Sequence, residues 1–422
     1  MNFSAVTTQT GIPPSHPLAH DDGLQRRCSS KLRVAFIFTH RIQYFSNLLD
    51  ELHHRGAIEV AAIYAHDTEL IDDSGFGLRI RWNNRTNTSF NESVLRSSAA
   101  RPHGQFLSSF SLELFERLDS FGPDVIHLNG YSNIIQWLAL LWGVARGVPT
   151  VSRGDGDTLS IQKRRSYSPH AILARMFSRQ LSHVFHQGPE NRKFWMTRGA
   201  DPSRMSWIPC VSDSEIFRRS AFASTEERSE FRSRHGARPH DVIFVLSGKL
   251  EDRKRPADAI EALARCRSGA ARLWFLGSGP LAEELATLGD ARGVGSRITW
   301  MGFRNQSEIP KVLQAADVLV HTSRQDPWPY SVLEGAISGL ALILSDKVGS
   351  HPDWIHTGQA GLLFPCGDVG ALAASMDTII TNPAMMSEFK RAARRASTRH
   401  TEAHFCERLE EVIKKFGQRR HE

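Results

Sequence analysis

Short, almost wholly apolar runs alternate with helical segments in two separate stretches of the chain. The runs lie at 32–38, 58–64, 125–128 and 149–152 in the first stretch, and at 242–246, 271–276, 298–301, 318–321 and 341–345 in the second. A continuous apolar run is typical of a strand that is covered on both faces, and helices between such strands indicate a parallel sheet. The pattern predicts an α/β protein with two doubly wound parallel sheets.

The 422 residues are enough for two domains of this kind. Residues 213–240, between the two stretches, are rich in Arg, Ser and Glu and are interpreted as a linker with some helix. Ligands of such sheets bind beyond the carboxyl ends of the strands, so the predicted site is a cleft between two facing domains. The expected organisation is a disordered tail at 1–30, an N-terminal Rossmann-like domain at 31–212, the linker at 213–240, a C-terminal Rossmann-like domain at 241–385 and a helical tail at 386–422.

Composition excludes several classes of protein. With 41% hydrophobic and 23% charged residues, the chain is an ordinary globular mixture, and its net charge of +7 favours an anionic ligand or surface. The five cysteines are widely spaced and form no C-x-x-C pair, which predicts neither a disulfide framework nor a zinc ribbon and favours a reducing cytosol. The polar residues 1–30 are not a signal peptide, and the longest apolar run, 134–145, is too short to span a bilayer. We interpret that run as a buried helix, with a helix lying on a membrane as the alternative.

Two acidic residues flank a segment rich in proline and aromatic residues in the second half of the chain. Asp326 follows a predicted strand, and Glu334, separated from it by seven residues, lies inside the next predicted helix. Backbone N–H groups at a helix N-terminus carry partial positive charge and suit a phosphate. The segment therefore predicts a phosphate-containing ligand, with a solvated acid in an ordinary connection as the alternative.

Glycine-containing loops follow two other predicted strands. Gly248 lets a ligand approach the backbone closely, and Lys249 and Lys254 on the same loop can neutralise a diphosphate. A charged surface loop is the alternative interpretation. Gly277 and Gly279 form a G-x-G turn, which alone is weak support for a dinucleotide site and fits a tight turn beside a nucleotide equally well.

In this order and spacing, the motifs resemble the retaining glycosyltransferases of family 4, which have the GT-B fold of two facing Rossmann-like domains. The resemblance covers residues 31–415 and is strongest over 242–368. Residues 39–45, 74–77 and Trp82 resemble a branch associated with polysaccharides. The matching segments of the second half are 248–250 with Lys254, 277–280, 298–302, 315–317, Asp326 with Glu334, and 361–368.

The resemblance implies that a nucleoside diphosphate sugar binds mainly to the C-terminal domain. It implies that the base rests against the loop at Gly302 and Phe303, and that Glu334 accepts hydrogen bonds from the ribose hydroxyls. Lys249 and Lys254 would neutralise the diphosphate, where charge develops as the glycosidic bond breaks. The implied reaction is a hexosyl transfer that retains the anomeric configuration.

Other residues of the implied site are less direct matches. Asp326 would lie near the sugar hydroxyls, and Gly248, Gly277 and Gly279 would complete the nucleotide site. The family often places a histidine near the reacting centre, but the aligning segment 153–157 has none, and His127 at the end of a predicted strand is the nearest candidate. We therefore expect Asp326, Glu334, Lys254 and His127 to be catalytic.

The sequence departs from the family pattern at several positions. Asp326 stands where the family usually has a glutamate, which is one methylene longer, and Lys249 replaces an arginine, so bidentate phosphate contact is lost while the charge remains. Asp155 and Asp157 form a D-x-D pair, the metal-binding signature of a different glycosyltransferase fold. Because the two-domain α/β pattern argues against that fold, we expect no metal and no cofactor besides the donor.

The expected partners are a nucleoside diphosphate sugar and a glycan or lipid-linked acceptor, in polysaccharide or glycoconjugate biosynthesis. The acceptor would enter past residues 39–43 and 130–133. Basic clusters such as 163–165 suggest peripheral contact with the inner face of a membrane by an otherwise cytoplasmic protein. The alternatives are a GT-B nucleotide-sugar epimerase, a phosphorylase, for which no convincing pyridoxal-phosphate lysine is found, and a non-enzymatic protein that binds nucleotides or nucleic acid. Scattered basic residues without a recognised binding module argue against nucleic acid.

Overall fold

Residues 31–66, 71–73, 75, 78–80, 88–96, 106–159 and 169–418 are described by the structure, which is a computed structural model. The tail expected at 1–30 and the basic cluster at 163–165 lie outside the described residues. So do Trp82 and all of the 74–77 motif except Gly75.

The first half of the chain forms a parallel sheet of seven strands. The described part of this half contains these seven strands and two more that lie outside the sheet. In chain order they are β1 (Leu32–Phe38), β2 (Ile58–Tyr64), β3 (Ile71–Asp73), β4 (Leu78–Ile80), β5 (Asn91–Val94), β6 (Val125–Asn129), β7 (Thr150–Arg153), β8 (His183–His186) and β9 (Met205–Trp207). β3 and β4 pair only with each other, antiparallel, and the sheet order is β5-β2-β1-β6-β7-β8-β9. The helices are α1 (Gln43–His54), α2 (Glu113–Phe121), α3 (Ile134–Arg146), α4 (Pro169–Gln180) and α5 (Pro189–Thr197), with a 3-10 turn at Phe106–Ser109. We call this half the N-terminal domain.

The second half forms a parallel sheet of six strands. Two short helices precede it, α6 (Ser214–Arg219) and α7 (Thr225–Arg234), in the segment expected to be a linker. The strands are β10 (Val242–Ser247), β11 (Ala271–Leu276), β12 (Ile298–Gly302), β13 (Val318–His321), β14 (Ala341–Ser345) and β15 (Gly361–Phe364), in the order β12-β11-β10-β13-β14-β15. The helices are α8 (Pro256–Arg265), α9 (Ala282–Ala291), α10 (Ile309–Ala315), α11 (Tyr330–Ser338) and α12 (Val369–Thr381). We call this half the C-terminal domain.

The burial of the strands on both faces explains why these runs are apolar. β11 is buried along its whole length, and so are β13 and β14, because helices cover both faces of the sheet. The central strands β1 and β10 each pair with a strand on either side in parallel register. The predicted fold class, two doubly wound parallel sheets, is confirmed.

Helix α7 is fastened to the C-terminal domain by a buried ion pair. Arg232 Nη1 donates to Asp317 Oδ2 at 2.9 Å, and Arg228 and Lys390 also reach Asp317. Burial alone would raise the pKa of Asp317, but the charges of Lys390 and Arg232 hold it below its usual range. This part of the expected linker is therefore held rigidly against the sheet.

The C-terminal segment, expected to be a helical tail, joins both cores. It forms α13 (Pro383–Ser397) and α14 (Glu402–Gln418). Ala392 and Ala393 of α13 are buried in the core of the C-terminal domain. Phe405, Leu409 and Ile413 of α14 are buried against β1, β2 and α1 in the core of the N-terminal domain. The chain thus crosses back to the first domain at its end.

Two further findings concern the described residues alone. No helix among them combines the length and the apolar character that crossing a bilayer requires. The four cysteines among them are free thiols, namely Cys210, Cys266, Cys366 and Cys406.

Candidate functional site

A cleft between the two domains lies at the carboxyl ends of the strands of the C-terminal domain. Its cavity has a volume of about 260 Å³ and is partly open to solvent. Tyr44 lines it from the N-terminal domain, and the other lining residues belong to the C-terminal domain. They are Ser247, Gly248, Lys249, Arg253, Lys254, Leu276, Gly277, Phe303, Arg304, Ile309, Asp326, Trp328, Pro329, Tyr330, Ser331 and Glu334.

Glu334 is a buried carboxylate at the wall of this cleft. It lies in the second turn of α11 and is only 4% exposed. Its Oε1 accepts hydrogen bonds from Tyr44 Oη at 3.3 Å and from Ser212 Oγ at 3.5 Å. Burial raises the pKa of Glu334 to about 7, although both hydrogen bonds favour the ionised form. The first turn of α11 also lines the cleft through Tyr330 and Ser331, and a helix N-terminus carries partial positive charge.

Asp326 is the centre of a hydrogen-bonded group at the other end of the same loop. Its Oδ2 forms an ion pair with Lys254 Nζ and lies 2.9 Å from His321 Nε2. Burial would raise the pKa of Asp326, but the hydrogen bond with His321 and the charge of Lys254 hold it far below its usual range. The backbone is fixed as well, because Gly349 N donates to the Asp326 carbonyl at 2.8 Å.

Lys254 is therefore not an isolated counter-charge for a diphosphate. Its ammonium lines the cleft, but it is already paired with Asp326, and its backbone carbonyl accepts from Thr322 Oγ1 at 2.7 Å. Lys254 was predicted to meet the phosphates and Asp326 the sugar hydroxyls, and in the structure the two side chains are paired with each other. The two residues act as one pair, and a ligand that engages one of them changes the environment of the other.

Two of the predicted glycines shape the floor of the cleft through loop packing. A Cβ added at Gly277, where φ is +149°, would lie 1.9 Å from the carbonyl oxygen of Gly248. One added at Gly279 would lie 2.5 Å from the carbonyl oxygen of Leu250. Gly248 and Gly277 line the cleft, whereas Gly279 packs against the backbone of Leu250 and is not part of the lining. Gly302 also supports it, because its carbonyl accepts from Gly277 N at 2.9 Å, and the next residue, Phe303, lines the cleft.

Lys249 lies where the loop after β10 meets the N-terminal domain. A Cβ added at Gly75 would lie 2.5 Å from Lys249 Cδ, so the aliphatic part of the lysine packs directly on Gly75. Lys249 also lines the cleft. The described residue of the 74–77 motif thus adjoins the loop that was predicted to contact a diphosphate.

His127 does not belong to this site. It is fully buried within β6, where its ring lies 4.8 Å from that of Phe36 and 6.3 Å from that of Phe185. Burial lowers the pKa of His127 to about 3, so the ring is neutral. The prediction of a catalytic His127 is wrong, because the side chain points into the core beneath the sheet rather than out from the end of the strand.

The two aspartates of the D-x-D pair contact other parts of the protein. Asp155 Oδ1 accepts from Gln187 Nε2 at 2.5 Å, and Asp157 is buried beside Gly349 of the C-terminal domain. Asn191 Nδ2 holds the loop between them by donating to the carbonyls of Gly154 and Gly156. Across the described parts of the chain, no three His, Cys, Asp or Glu side chains are grouped so as to hold a metal ion.

Sequence reasoning missed several residues of the site. His321 ends the apolar strand β13 five residues before Asp326, and a polar side chain in that position is the signal that would have found it. Tyr44 and Tyr330 both lie in motifs that the resemblance used, but an aromatic residue at the start of a helix is more often part of a core. The contact between Tyr44 and Glu334 joins residues far apart in sequence, so no local pattern indicates it.

Comparison with known proteins finds a family match in the second half of the chain. Residues 227–396 match the family model described as glycosyl transferases group 1. The matched segment extends from α7 to α13 and so contains the six-stranded sheet of the C-terminal domain. A putative glycosyltransferase of Bacillus subtilis, EpsD, is 29% identical over 188 residues, which are 44% of this chain and 49% of EpsD. The glycogen synthase of Mycobacterium tuberculosis is 24% identical over 327 residues, 74% of this chain and 73% of the synthase. The chain spans about half the length of the first relative.

Solved structures agree with the architecture of two parallel α/β sheets. The HepE protein of Anabaena, solved with UDP, superposes with a TM-score of 0.70 at 15% identity and covers 91% of this chain and 100% of its own. The same protein has also been solved with UDP-glucose. At this identity the likeness supports the fold alone, and it agrees with the GT-B arrangement that the sequence motifs predicted.

Proposed function

We propose that the protein transfers a sugar from a nucleoside diphosphate sugar to a hydroxyl group of a glycan or lipid-linked acceptor, with retention of configuration. The observation that carries the proposal is the convergence on one cleft of a buried carboxylate, a glycine–lysine loop and the N-terminus of α11. The expected nucleotide-binding residues Gly248, Lys249, Gly277 and Phe303 line that cleft.

The ribose end of the donor is assigned to Glu334. A carboxylate accepts from two neighbouring hydroxyls, and this one keeps Oε2 without a hydrogen-bond partner among the described residues. The base would lie beside Phe303 and Arg304, which line the cleft after β12. Both assignments fit a nucleoside that is held mostly by the C-terminal domain.

The diphosphate is assigned to the loop after β10 and the first turn of α11. Lys249, Arg253 and Lys254 line this part of the cleft, together with the backbone of Gly248 and Gly277. When the bond between the anomeric carbon and the diphosphate oxygen breaks, negative charge grows on that oxygen. Fixed cations and helix N–H groups stabilise this charge more in the transition state than in the bound donor. Lys254 would stabilise this charge most directly, because its ammonium group lines the cleft and can contact the phosphate as well as Asp326.

A screen of nucleotide sugars tests the proposal. Each donor is incubated with the protein but without acceptor, once with EDTA and once with Mn²⁺, and released nucleoside diphosphate is measured by chromatography. Slow release from one nucleotide sugar is expected, and UDP-sugars are the first to test because the Anabaena protein was solved with UDP-glucose. No release from any donor would contradict the proposal, and conversion to an epimer without release would favour an epimerase. Release that EDTA abolishes and Mn²⁺ restores would contradict the assignment of the phosphates to lysines.

We also propose that the protein, which would act in the cytoplasm, contacts the inner face of a membrane peripherally. Six large apolar side chains on three adjoining elements, 43–60% exposed, support a specific surface for this contact. The 3-10 turn at Phe106–Ser109 and helix α4 both pack against α3. Helix α4 carries Arg175 and Arg179 but no acidic residue, which suits anionic lipid. The apolar face, as we call it, consists of Phe106, Leu107, Leu141, Ile172, Leu173 and Met176.

A further inference from the structure

Two tyrosines, one from each domain, lie face to face beside Glu334. The rings of Tyr44 and Tyr330 are 4.1 Å apart between centroids and only 3° from parallel. Tyr44 belongs to the first turn of α1, and Tyr330 begins α11, so the stacked pair joins the N-terminal and C-terminal domains at the mouth of the cleft.

Their hydroxyls reach in opposite directions across the domain boundary. Tyr44 Oη, from the N-terminal domain, donates to Glu334 Oε1 of the C-terminal domain at 3.3 Å. The Tyr330 hydroxyl, from the C-terminal domain, is hydrogen-bonded to Arg153 at the end of β7 in the N-terminal domain. Arg153 is itself buried and donates from Nη2 to Cys210 Sγ at 3.2 Å. Each domain thus supplies one ring and one polar partner.

We propose that Tyr44 is a positioning residue for Glu334, and that the crossed tyrosine pair closes the N-terminal domain over the ribose end of the donor. Tyr44 Oη and Ser212 Oγ both donate to Oε1, which favours the ionised carboxylate as the acceptor for the ribose diol. The inference rests on the proposed function, because it takes Glu334 as the ribose ligand.

Charge explains why the hydroxyl of Tyr44 matters. Burial raises the pKa of Glu334 to about 7, against two hydrogen bonds that favour the ionised form, so both forms are populated at pH 7. An ionised carboxylate accepts from both ribose hydroxyls, whereas a protonated one must donate from one of its oxygens. Removing the Tyr44 hydroxyl therefore favours the protonated form near pH 7 and weakens the grip on ribose. At pH 9 the carboxylate is ionised in either case, so the loss disappears.

Other charged groups near α11 do not produce the same pH dependence. Burial raises the pKa of Tyr330 far above its usual value and that of Cys210 to about 12, and burial lowers the pKa of His321. Asp353 faces Gly188 across the domains and has a pKa of about 7, but it is common to every variant. Affinity ratios between variant and wild type remove its contribution. Among the described residues, the other charged groups near α11 include Lys249, Arg253, Lys254, Arg304 and Asp326 in the cleft, Arg153 and Asp155 at and after β7, Asp213 before α6, and Lys390 and Arg394 on α13.

Nucleotide binding at two pH values tests the inference. Dissociation constants of UDP, GDP and ADP are measured by calorimetry at pH 7 and pH 9 for the wild type, Tyr44→Phe and Tyr330→Phe. Tyr44→Phe keeps the stacked ring, and its affinity for the bound nucleotide is expected to be about fivefold weaker than wild type at pH 7, as for loss of one long hydrogen bond. The difference should fall to within about twofold at pH 9. Tyr330→Phe, which leaves Glu334 untouched, should show the same ratio at both pH values.

The outcomes separate this inference from the proposed function. If the wild type binds a nucleotide and Tyr44→Phe shows an equal ratio at pH 7 and pH 9, or no loss at either, the positioning role is wrong while the donor site stands. If Tyr330→Phe shows the same pH-dependent loss as Tyr44→Phe, the effect does not act through Glu334, and the inference is also wrong. If the wild type binds none of the three nucleotides, both the donor site and the positioning role are wrong.

Discussion

At the scale of single residues, the site depends on pairs rather than on independent charges. Asp326 is 7% exposed and accepts from both Lys254 and His321 through one oxygen. A buried carboxylate of this kind is stable only while its partners remain, since desolvation of an unpaired charge is costly. Lys254 therefore has two functions, which are to compensate Asp326 and to present a cation to the cleft.

Lys254→Ala should reveal both functions. The variant leaves Asp326 buried with His321 alone, so the free energy of unfolding at pH 7 should fall by about 3 kcal/mol. The pKa of Asp326 is depressed in the folded protein, so this contribution is present above about pH 4 and is lost as the pH falls further. At saturating donor, kcat should fall roughly 10²–10³-fold. Urea denaturation and steady-state kinetics measure the two effects.

Two further variants are controls for Lys254→Ala. Lys254→Met combined with Asp326→Asn removes both charges and should recover part of the lost stability without recovering the rate. Lys254→Arg should keep part of the rate, because the charge is retained. A kcat of Lys254→Ala within about twofold of wild type would show that the lysine has no part in donor cleavage.

At the scale of elements, part of the cleft is formed by two loops whose backbones are in direct contact, with no side chain between them at Gly248 and Gly277. The loop after β10 and the loop after β11 exchange backbone hydrogen bonds, Gly248 N to Leu276 O and Leu250 N to Ser278 O, both at 2.9 Å. Gly277 lies between these bonds with no room for a Cβ. The close contact fixes where Gly248 and Lys249 meet a ligand.

Gly277→Ala should separate the two loops. A Cβ at this position meets backbone and also requires a positive φ, so the variant should lose about 3 kcal/mol or more of unfolding free energy. Gly269→Ala is the matched control, because a Cβ there has no heavy atom within 4 Å, and its stability should change by less than about 0.5 kcal/mol. Thermal or urea denaturation of both variants measures the difference. Equal stability of the two variants would contradict the tight packing of these loops.

The elements themselves could be predicted well from sequence, and their long-range contacts could not. The runs at 32–38, 58–64, 271–276, 318–321 and 341–345 coincide with β1, β2, β11, β13 and β14, because strands buried on both faces are continuous apolar runs. The amphipathic pattern of α14 indicates a buried face but does not say that the face packs on α1. His127 was misjudged because β6 continues to Asn129, so the histidine lies inside the strand and its side chain is buried in the core. The pairing of Lys254 with Asp326 joins two loops whose separate motifs had suggested separate roles.

At the scale of the whole molecule, the domains are joined by the stacked tyrosines and by the C-terminal helices. Tyr44 and Tyr330 stack across the cleft, and α14 returns to the N-terminal domain with Phe405 and Cys406 buried beside α1. On the N-terminal domain, the apolar face adjoins the basic helix α4. An acceptor held in lipid would then approach the molecule from the domain that does not hold the donor.

Vesicle sedimentation tests the apolar face. The wild type should bind vesicles of phosphatidylglycerol and phosphatidylcholine, and bind less at high salt. Leu173→Glu combined with Met176→Glu replaces two apolar contacts by two like charges and should reduce binding at least about tenfold. Trp300→Glu, at an exposed apolar residue on β12 in the other domain, is the matched control and should bind as wild type. Equal binding to neutral vesicles, or no effect of the double substitution, would contradict this assignment.

The most direct test of the donor site compares donor kinetics of the wild type and Glu334→Gln at pH 9, where Glu334 is ionised. The amide keeps the volume but replaces one acceptor oxygen by a donor, so the grip on the ribose diol is lost in ground state and transition state alike. The donor KM should rise about 10- to 100-fold, the cost of hydrogen bonds to a charged group, while kcat at saturating donor changes by less than about threefold. An unchanged KM for the donor would contradict the placement of the nucleotide in this cleft.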